Sequence, residues 1–481
     1  MSKKITLIVL AFFASIFLVA CGKSPDVTAN ANGTKIGDTI KIGVNMELTG
    51  AVAAYGKAEQ NGIKLAVDEI NKAGGVDGKK LELVTKDNKS ENAEASTSST
   101  NLAIQNNVNA IVGPATSGAV AAASLVSQKT GVPLLTPSGT QDDLTVDANG
   151  TKKFVFRTTF KDSYQGKVLA AYSYNNLNAK KVVLYYDNAS DYAKGIADEF
   201  KREYKGKIVT EATFASGDKD YQSALTKFKD LDYDAIVMPG YYTETGIITK
   251  QARDLGIDKP ILGPDGFSDA KFTELAGKKN ASNVYYVSGY STNVALSDKA
   301  SGFIEAYKKA YKTEPNMFAA LAYDSVYMVS SATKDDQRLI AVTLNDKNRW
   351  EDSQKLLNWG FETFDLYEYP IEEELSNEIN RIAVEYGIDT TVKLETSEEP
   401  FVVIPKGKRE NLIVKTNVPK KINAPVYQGQ KIGEVHFIMN DKTLRTIDLV
   451  AANNVEERTL ANFLLNYLTT IFKLFSSWGI V

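Results

Sequence analysis

From Ile40 to about Ala332, short apolar runs alternate along the chain with amphipathic stretches. The runs that indicate buried strands are IKIGVNM, KLELVTKD, NAIVG, VPLLTP, FVFRTT, KVVLYY, DAIVMPG and PILGP. Between them, helical spacing of apolar residues marks QNGIKLAVDEINKAGG, SGAVAAASLVSQKTG and DYQSALTKFKDL. This alternation predicts an α/β fold with parallel sheets covered by helices. Ligands of such folds bind beyond the carboxyl ends of the strands.

The pattern changes after Ala332. Short alternating strands with polar turns over 370–455 predict a β-rich, sandwich-like domain. Residues 456–481 have helical spacing, with one apolar face formed by Leu460, Phe463, Leu464, Tyr467, Leu468, Ile471, Phe475 and Trp478. Such a face suits a membrane interface, and it equally suits a helix packed on its own domain.

The N-terminus has the pattern of a targeting segment. Lys3 and Lys4 precede an apolar run that is shorter than a membrane span of about 20 residues. The run ends in LVACG, which resembles a bacterial lipobox, so Cys21 is the expected lipid-attachment residue after removal of residues 1–20. The alternative is a plain secretory peptide with a chance cysteine. Residues 21–37 are small and polar and predict a flexible tether.

Composition excludes several classes of site. The chain has 481 residues, a formal net charge of -3, one histidine and one cysteine, so neither a His/Cys metal cluster nor an intrachain disulfide can form. The charge does not favour nucleic acid as a partner. No phosphate-binding glycine loop occurs, and no cofactor is expected. His436 lies in the alternating run GEVHFIMN, where a position on a sheet face is favoured over catalysis.

The predicted strand ends carry candidate binding residues. Hydroxyl side chains follow NAIVG and VPLLT, at Ser117 and at Ser138 and Thr140, where free backbone N–H groups at a helix start could hold a carboxylate. Ordinary N-capping explains the same hydroxyls equally well. Other strand ends are followed by aromatic or acidic side chains, namely Tyr55, Tyr192, Tyr241 and Asp265. A single tyrosine is more often a packing residue than a ligand contact.

Seven segments resemble the leucine/isoleucine/valine-binding proteins of ABC importers, in that family's order. They begin with GVNMELTGAVAAYGKAEQNGIKLAVDEINKAGGVDGKKLELVTKDN and continue with VGPATSGAVAAAS, LLTPSGTQDDLT, FRTTFKDSYQG, DNASDYAKGIADEF, PGYYTETGIITKQARDLG and GPDGF. The resemblance covers about 40–332. It implies a periplasmic-binding-protein type I fold, incomplete at its end, with one lobe over 38–158 plus 266–332 and the other over 159–265.

The resemblance also implies what each residue does when the two lobes close on leucine, isoleucine or valine. Ser117, Ser138 and Thr140 would hold the α-carboxylate, and Asp265 would neutralise the α-ammonium with help from Tyr241. Tyr55 and Tyr192 would form walls for the aliphatic side chain. Some relatives have glutamate in place of Asp265. The partner would be an ABC permease, and the location would be the extracytoplasmic face of the membrane.

From Thr333 the chain resembles a different family, the D-Ala-D-Ala carboxypeptidases. TKDDQRLIAVTLNDKNRWEDSQKLLNWGFETFD is similar to the end of the penicillin-binding core, which gives a remnant over 333–369. EEPFVVIPKGKRENLIVK and INAPVYQGQKIGEVHF are similar to strands of its C-terminal β domain, and the final helix is a membrane anchor in that family. The two resemblances meet at 330–335. A fused or rearranged gene explains the junction, and so does an error in assembling the sequence.

The catalytic motifs of penicillin-binding enzymes occur here in the wrong order. K-T-G begins at Lys129, S-x-N at Ser173 and S-x-x-K at Ser331, whereas the family order is the reverse. We therefore expect a binding protein with a non-catalytic tail. The rival hypotheses are a carboxypeptidase with Ser331 as nucleophile, a non-functional fusion, and an anchoring module with an inert front half.

Overall fold

The computed structural model describes residues 36–148, 150–294, 297–334, 337–338, 349–374, 382–398 and 400–459. The chain divides between Phe361 and Glu362 into two compact units. Cys21, the predicted signal peptide, most of the tether and residues 460–481 lie outside the described residues.

The first unit contains two lobes, and the first lobe is built on a five-stranded parallel sheet in the order β2-β1-β3-β4-β5. Its strands are β1 (Thr39–Met46), β2 (Lys80–Asp87), β3 (Ala110–Val112), β4 (Leu134–Thr136) and β5 (Val155–Arg157). Each coincides with all or part of one of the predicted apolar runs. Because helices cover both faces of such a sheet, central strands are largely apolar and are buried on both faces, and Gly43 and Asn45 of β1 are buried along with their apolar neighbours.

The second lobe repeats this plan with a five-stranded parallel sheet in the order β10-β9-β8-β6-β7. Its strands are β6 (Lys181–Asp187), β7 (Lys207–Phe214), β8 (Ala235–Val237), β9 (Ile261–Gly263) and β10 (Val284–Tyr286). In each sheet the strand order reverses beside the first strand. A crevice opens there at the carboxyl ends, which is where ligands of open α/β sheets bind.

Helices pack on both sheets. They are α1 (Ala53–Lys72), α2 (Asn92–Thr100), α3 (Ser117–Thr130), α4 (Asp162–Asn175), α5 (Asp191–Glu203), α6 (Gln222–Lys229), α7 (Tyr242–Asp254), α8 (Ala270–Ala276), α9 (Asp298–Tyr311) and α10 (Met317–Ser331). Helices α1 and α10 pack closely because Gly62 has no side chain: a Cβ there would lie 2.1 Å from the Ala319 carbonyl oxygen. The parallel sheets covered by helices confirm the predicted α/β class.

The predicted lobe boundary at residue 265 is wrong. Strand β10 pairs with β9, and helix α8 packs against α7, so the second lobe continues to Tyr286. The chain returns to the first lobe with α9 and α10, which pack on α1. Strand β10 has three residues and is only partly buried, so it lacks the apolar run that marks the central strands.

A helix, α11 (Arg349–Thr363), precedes the second unit and contains the predicted helical stretch SQKLLNWGF. The strand predicted from RLIAVTLN is described only at Arg338, which pairs with Thr333 in a short antiparallel hairpin. The rest of that strand lies outside the described residues.

The second unit is β-rich, as predicted. Its elements are β11 (Phe364–Glu368), α12 (Ile371–Glu374), β12 (Ile382–Glu385), β13 (Thr391–Val392), β14 (Leu394–Thr396), β15 (Phe401–Pro405), β16 (Ile413–Asn417), β17 (Lys421–Asn423), β18 (Lys431–Met439) and β19 (Lys442–Ala451). A four-stranded sheet has the order β14-β19-β18-β16, and alternate residues of β18 and β19 fill the core. His436 lies on β18 opposite Thr446, with Nδ1 3.0 Å from the Thr446 hydroxyl oxygen.

The predicted helix over 456–481 does not begin at Glu456. Val455 bridges to Val426 and Glu457 bridges to Gly387, so these residues extend the β structure. No helix within the described ranges is long and apolar enough to cross a membrane.

Replacement of Phe437 should destabilise the second unit strongly. Its side chain is fully buried in this core, and Phe437→Ala is expected to lower the free energy of unfolding by about 3–5 kcal/mol. Amide exchange along β18 and β19 should then accelerate, as measured by mass spectrometry. Val403→Ala, at a side chain that is 50% exposed, is the matched control and should change the exchange little. Equal acceleration in both variants would contradict this core assignment.

Candidate functional site

The structure places all seven predicted binding residues just beyond the carboxyl ends of strands. In the first lobe they follow β1, β3 and β4, and in the second lobe they follow β6, β8 and β9. The residues are Tyr55, Ser117, Ser138, Thr140, Tyr192, Tyr241 and Asp265. Their position at the strand ends is therefore as predicted.

Ser117 is oriented as a hydrogen-bond donor. Its Oγ accepts the backbone N–H of Thr140 at 3.1 Å and that of Gln141 at 3.2 Å. A hydroxyl has two acceptor positions and one hydrogen, so both acceptor positions are used. The hydrogen is left for another acceptor, and the side chain is 2% exposed.

Ser138 is bonded within the protein on both sides. Its Oγ lies 2.9 Å from the carbonyl oxygen of Ala115 and is also hydrogen-bonded to the carboxyl group of Glu59. Both neighbours are oxygens, and the hydroxyl has one hydrogen. In this conformation that hydrogen is used inside the protein, which differs from the predicted carboxylate-holding role.

Thr140 connects the first lobe to helix α4. Its carbonyl accepts the N–H of Asp162 at 2.9 Å and an N–H of Arg157 at 2.9 Å. Thr140 and Asp162 are both buried, and a hydrogen bond from the Thr140 side chain favours the ionised form of the Asp162 carboxyl. Burial raises the pKa of Asp162 well above its usual range.

Asp265 is the predicted counter-ion for an ammonium group. It is 3% exposed, its Oδ1 accepts the Tyr192 hydroxyl at 2.6 Å, and its N–H donates to Gln165 Oε1 at 2.8 Å. Burial raises the pKa of Asp265 to about 6, and the hydrogen bond from Tyr192 opposes that shift. An uncompensated buried carboxylate favours a cation beside it.

The three tyrosines form one aromatic group across the lobes. Tyr192 stacks on Tyr241 with ring centroids 5.0 Å apart, and Tyr55 meets Tyr241 edge-on at 5.9 Å. Tyr55 also donates its hydroxyl hydrogen to the Gly266 carbonyl at 2.5 Å and stacks on Phe318. Tyr55 is thus a bridge from the first lobe to the second.

Sequence reasoning missed several buried polar side chains beside these residues. Glu59 and Gln165 are fully buried, and Asp162 is 1% exposed. Each lies on a helix, where a charged or polar residue usually faces solvent. The one available signal was position along the helices, because Glu59 follows Tyr55 by one turn and Asp162 is the first residue of α4.

The motifs that resemble those of penicillin-binding enzymes serve as parts of helices. Ser331 is the exposed last residue of α10, and Gly131 ends α3 in a left-handed conformation. Ser173 is buried in α4, and its hydroxyl bonds to the carbonyls of its own helix. Within the described residues, no group of three or more His, Cys, Asp or Glu side chains could hold a metal ion.

A separate cavity of about 350 Å³ lies between α8, β10 and the start of α10. Phe267, Asp269, Tyr290 and Met317 are among the residues that line it, and none of the seven predicted binding residues does.

Two family models match the chain. Residues 39–342 match the periplasmic binding protein model, and residues 369–457 match the C-terminal domain of penicillin-binding protein 5. The first match extends ten residues past the end at 332 that the sequence predicted. The second agrees closely with the predicted β domain over 370–455.

Relatives agree with the first match. A Leu/Ile/Val-binding protein homolog of Brucella melitensis is 32% identical over 335 residues, which are 68% of this chain and 88% of that protein. The branched-chain amino acid transporter substrate-binding protein LivJ of Streptococcus pneumoniae, solved with isoleucine, is 44% identical, with a TM-score of 0.60, and the match covers 86% of this chain and 99% of LivJ. The leucine-binding protein LivK of Thermotoga maritima shares the fold at 24% identity, with a TM-score of 0.58 and coverage of 87% and 99%. The chain belongs to the periplasmic binding protein family.

Proposed function

We propose that this chain is the substrate-binding lipoprotein of an ABC importer and binds leucine, isoleucine or valine outside the cytoplasm. The observation that carries the proposal is a hydrogen-bond chain through Thr140, Asp162 and Gln165. It joins Ser117, a buried hydroxyl with its hydrogen left to donate, to Asp265, a buried carboxyl for which the described residues supply no cation. LivJ, solved with isoleucine, is 44% identical.

A free amino acid needs both of its charges satisfied when it leaves water. Ser117 would donate to the ligand carboxylate, and Asp265 would pair with the ligand ammonium. The buried carboxyl of Asp162 supports a polar ligand beside it, because a buried charged group is costly unless it is paired and hydrogen-bonded. Asp162 would be a second acceptor for the ammonium.

The side chain of the ligand would contact the aromatic group. Tyr55, Tyr192 and Tyr241 present ring surface, and burial of each ligand CH₂ group contributes about 0.8 kcal/mol. A site of this chemistry favours an aliphatic side chain over a charged one, because a second charge would remain unpaired. The C-terminal β unit is proposed to be non-catalytic.

Closure of the lobes should depend on Tyr242. Its hydroxyl, at the start of α7, donates to the Ala51 carbonyl at 3.1 Å and accepts the Ala54 N–H at 3.3 Å, so it joins the second lobe to the first. Tyr242→Phe removes both bonds, each worth about 0.5–1.5 kcal/mol, and should raise the ligand Kd by about tenfold, chiefly through faster dissociation. Stopped-flow fluorescence measures both rates.

Tyr204→Phe is the matched control for Tyr242→Phe. The Tyr204 hydroxyl donates to the Ala179 carbonyl at 2.8 Å within the second lobe alone. This control should leave ligand dissociation unchanged. If it accelerated dissociation as much as Tyr242→Phe, the cross-lobe contact would have no special role.

Membrane attachment is proposed to occur through lipid on Cys21. Two or three acyl chains anchor a protein firmly, whereas one chain gives marginal binding. A Cys21→Ser variant, expressed in bacteria and fractionated, should leave the membrane fraction. Retention of that variant would instead favour an anchor in residues 456–481. The proposed partner at the membrane is the permease of a branched-chain amino acid importer.

A thermal-shift panel of the natural amino acids tests the ligand class. A ligand present at about 1,000 times its Kd stabilises the folded protein by about 4 kcal/mol. Leucine, isoleucine and valine should raise the unfolding midpoint, while aspartate and lysine should not. A panel in which charged amino acids stabilise and aliphatic ones do not would overturn the assignment.

A further inference from the structure

Glu59 is a buried carboxyl group that the proposed ligand contacts do not use. It lies on α1 one helical turn after Tyr55, it is fully buried, and its Oε2 makes no hydrogen bond within the described residues. Glu47, which directly follows β1, is the charged group that raises the pKa of Glu59, and no cation within the described residues counters this effect. Glu47 itself accepts the N–H of Ala115 at 3.0 Å and both the N–H and the hydroxyl of Thr116.

The hydrogens around Ser138 can be counted. The Ser138 hydroxyl oxygen lies between two oxygens, the Ala115 carbonyl at 2.9 Å and Glu59 Oε1. A backbone carbonyl accepts only, and Ser138 has a single hydrogen to give. Both contacts can be hydrogen bonds only if the Glu59 carboxyl supplies the second hydrogen. If Glu59 were ionised, the Ser138 hydrogen would be the one hydrogen among the three oxygens of Ser138, Ala115 and Glu59. Ser138 could then donate to one neighbour, and its oxygen would repel the oxygen of the other.

We propose that Glu59 carries a proton in the folded protein and acts as a positioning residue that fixes the direction of the Ser138 hydroxyl. The Glu59 O–H donates to Ser138, and Ser138 donates to Ala115. Burial supports this assignment, because it raises the pKa of Glu59 well above its usual range even though the hydrogen bond with Ser138 opposes the shift, and the nearby Glu47 acts in the same direction as burial.

This arrangement changes what Ser138 can offer to an amino acid, and this part of the inference rests on the proposed function. With its own hydrogen committed to Ala115, Ser138 has only a lone pair left, so it accepts from the ligand ammonium and does not donate to the carboxylate. Loss of the Glu59 proton would redirect the Ser138 hydrogen and add a second buried negative charge beside Glu47. We therefore expect ligand affinity to fall as pH rises through the pKa of Glu59.

Infrared difference spectroscopy tests the proton without any ligand. At neutral pH the C=O stretch of a protonated carboxyl group should be present and should lose one component in Glu59→Gln. Glu199→Gln is the control, because Glu199 is 5% exposed and paired with Arg202. In Ser138→Ala the Glu59 component should persist but shift, since its hydrogen-bond partner has changed. A spectrum unaltered by both Glu59→Gln and Ser138→Ala would overturn the proposal.

Calorimetric titration across pH tests the positioning role. The side-chain amide introduced by Glu59→Gln can donate to Ser138 but cannot ionise. The ratio of Kd values at pH 9 and pH 7, both above the pKa of Asp265, should therefore be closer to one in this variant than in the natural chain. Glu59→Ala removes the donor and should bind more weakly at every pH, by about tenfold. If Glu59→Gln and Glu59→Ala behaved alike, the hydrogen donated by Glu59 would have no positioning role. Failure of the natural chain to bind would refute the proposed function and leave the infrared result standing.

Discussion

Asp265→Asn is expected to weaken binding of a branched-chain amino acid by about 30-fold to several thousand-fold. The substitution keeps the shape of the side chain and removes its charge, so the ligand ammonium would be buried without its counter-ion. Loss of one partner of a buried, hydrogen-bonded charge pair costs about 2–5 kcal/mol, and each 1.4 kcal/mol is about tenfold in Kd. Isothermal calorimetry at neutral pH measures the change.

Asp234→Asn is the matched control for this substitution. Asp234 precedes β8, at the opposite end of the sheet from the site, and accepts the backbone N–H groups of Lys180 and Lys181. Its replacement should leave the Kd unchanged. An Asp265→Asn variant that bound as tightly as the natural chain would remove Asp265 from the site.

The raised pKa of Asp265, about 6, also predicts a pH dependence. Ligand affinity should fall as pH drops below about 6, because the protonated carboxyl no longer attracts the ammonium. The unliganded protein should behave in the opposite sense. Its folded state binds the Asp265 proton more tightly than the unfolded state does. The free energy of unfolding should therefore fall by about 3 kcal/mol as pH rises from the usual carboxyl pKa of 3.8 to about 6. Both effects should be absent in Asp265→Asn, and their persistence there would assign them to another group.

Ser117→Ala is expected to raise the Kd by about 10- to 150-fold. Two effects combine: the ligand carboxylate loses a donor, worth about 1.5–3 kcal/mol, and the backbone N–H groups of Thr140 and Gln141 lose their acceptor. Calorimetry with isoleucine measures the change. Ser124→Ala is the control, because Ser124 lies on the same helix and its hydroxyl donates to the Ala121 carbonyl of that helix. If both variants bound equally well, Ser117 would have no role beyond beginning the helix.

All strands of the first sheet and the central strands of the second could be predicted from the sequence, and the two edge strands of the second sheet could not. All eight predicted apolar runs contain strands of the parallel sheets, but β7 and β10 were missed. Each is an edge strand of the second sheet. Strand β7 is exposed or half-buried at every residue except Phe214 and contains Lys207 and Glu211, so it lacks the continuous apolar run of a strand buried on both faces.

The site could be predicted only as far as the family resemblance named its residues. Hydroxyls and tyrosines at strand ends are compatible with capping and packing, and spacing alone did not distinguish these roles. The buried carboxyls remained hidden because their partners are distant in the chain. Glu59 bonds to Ser138, 79 positions away, and nothing local distinguishes it from a solvent-facing helical glutamate.

Isothermal calorimetry of the natural chain with isoleucine tests the proposed function most directly. The expected result is one isoleucine bound per chain with a micromolar or lower Kd, with leucine and valine competing for the same site. A sample with intact secondary structure that gives no binding heat with any of the three amino acids would contradict it.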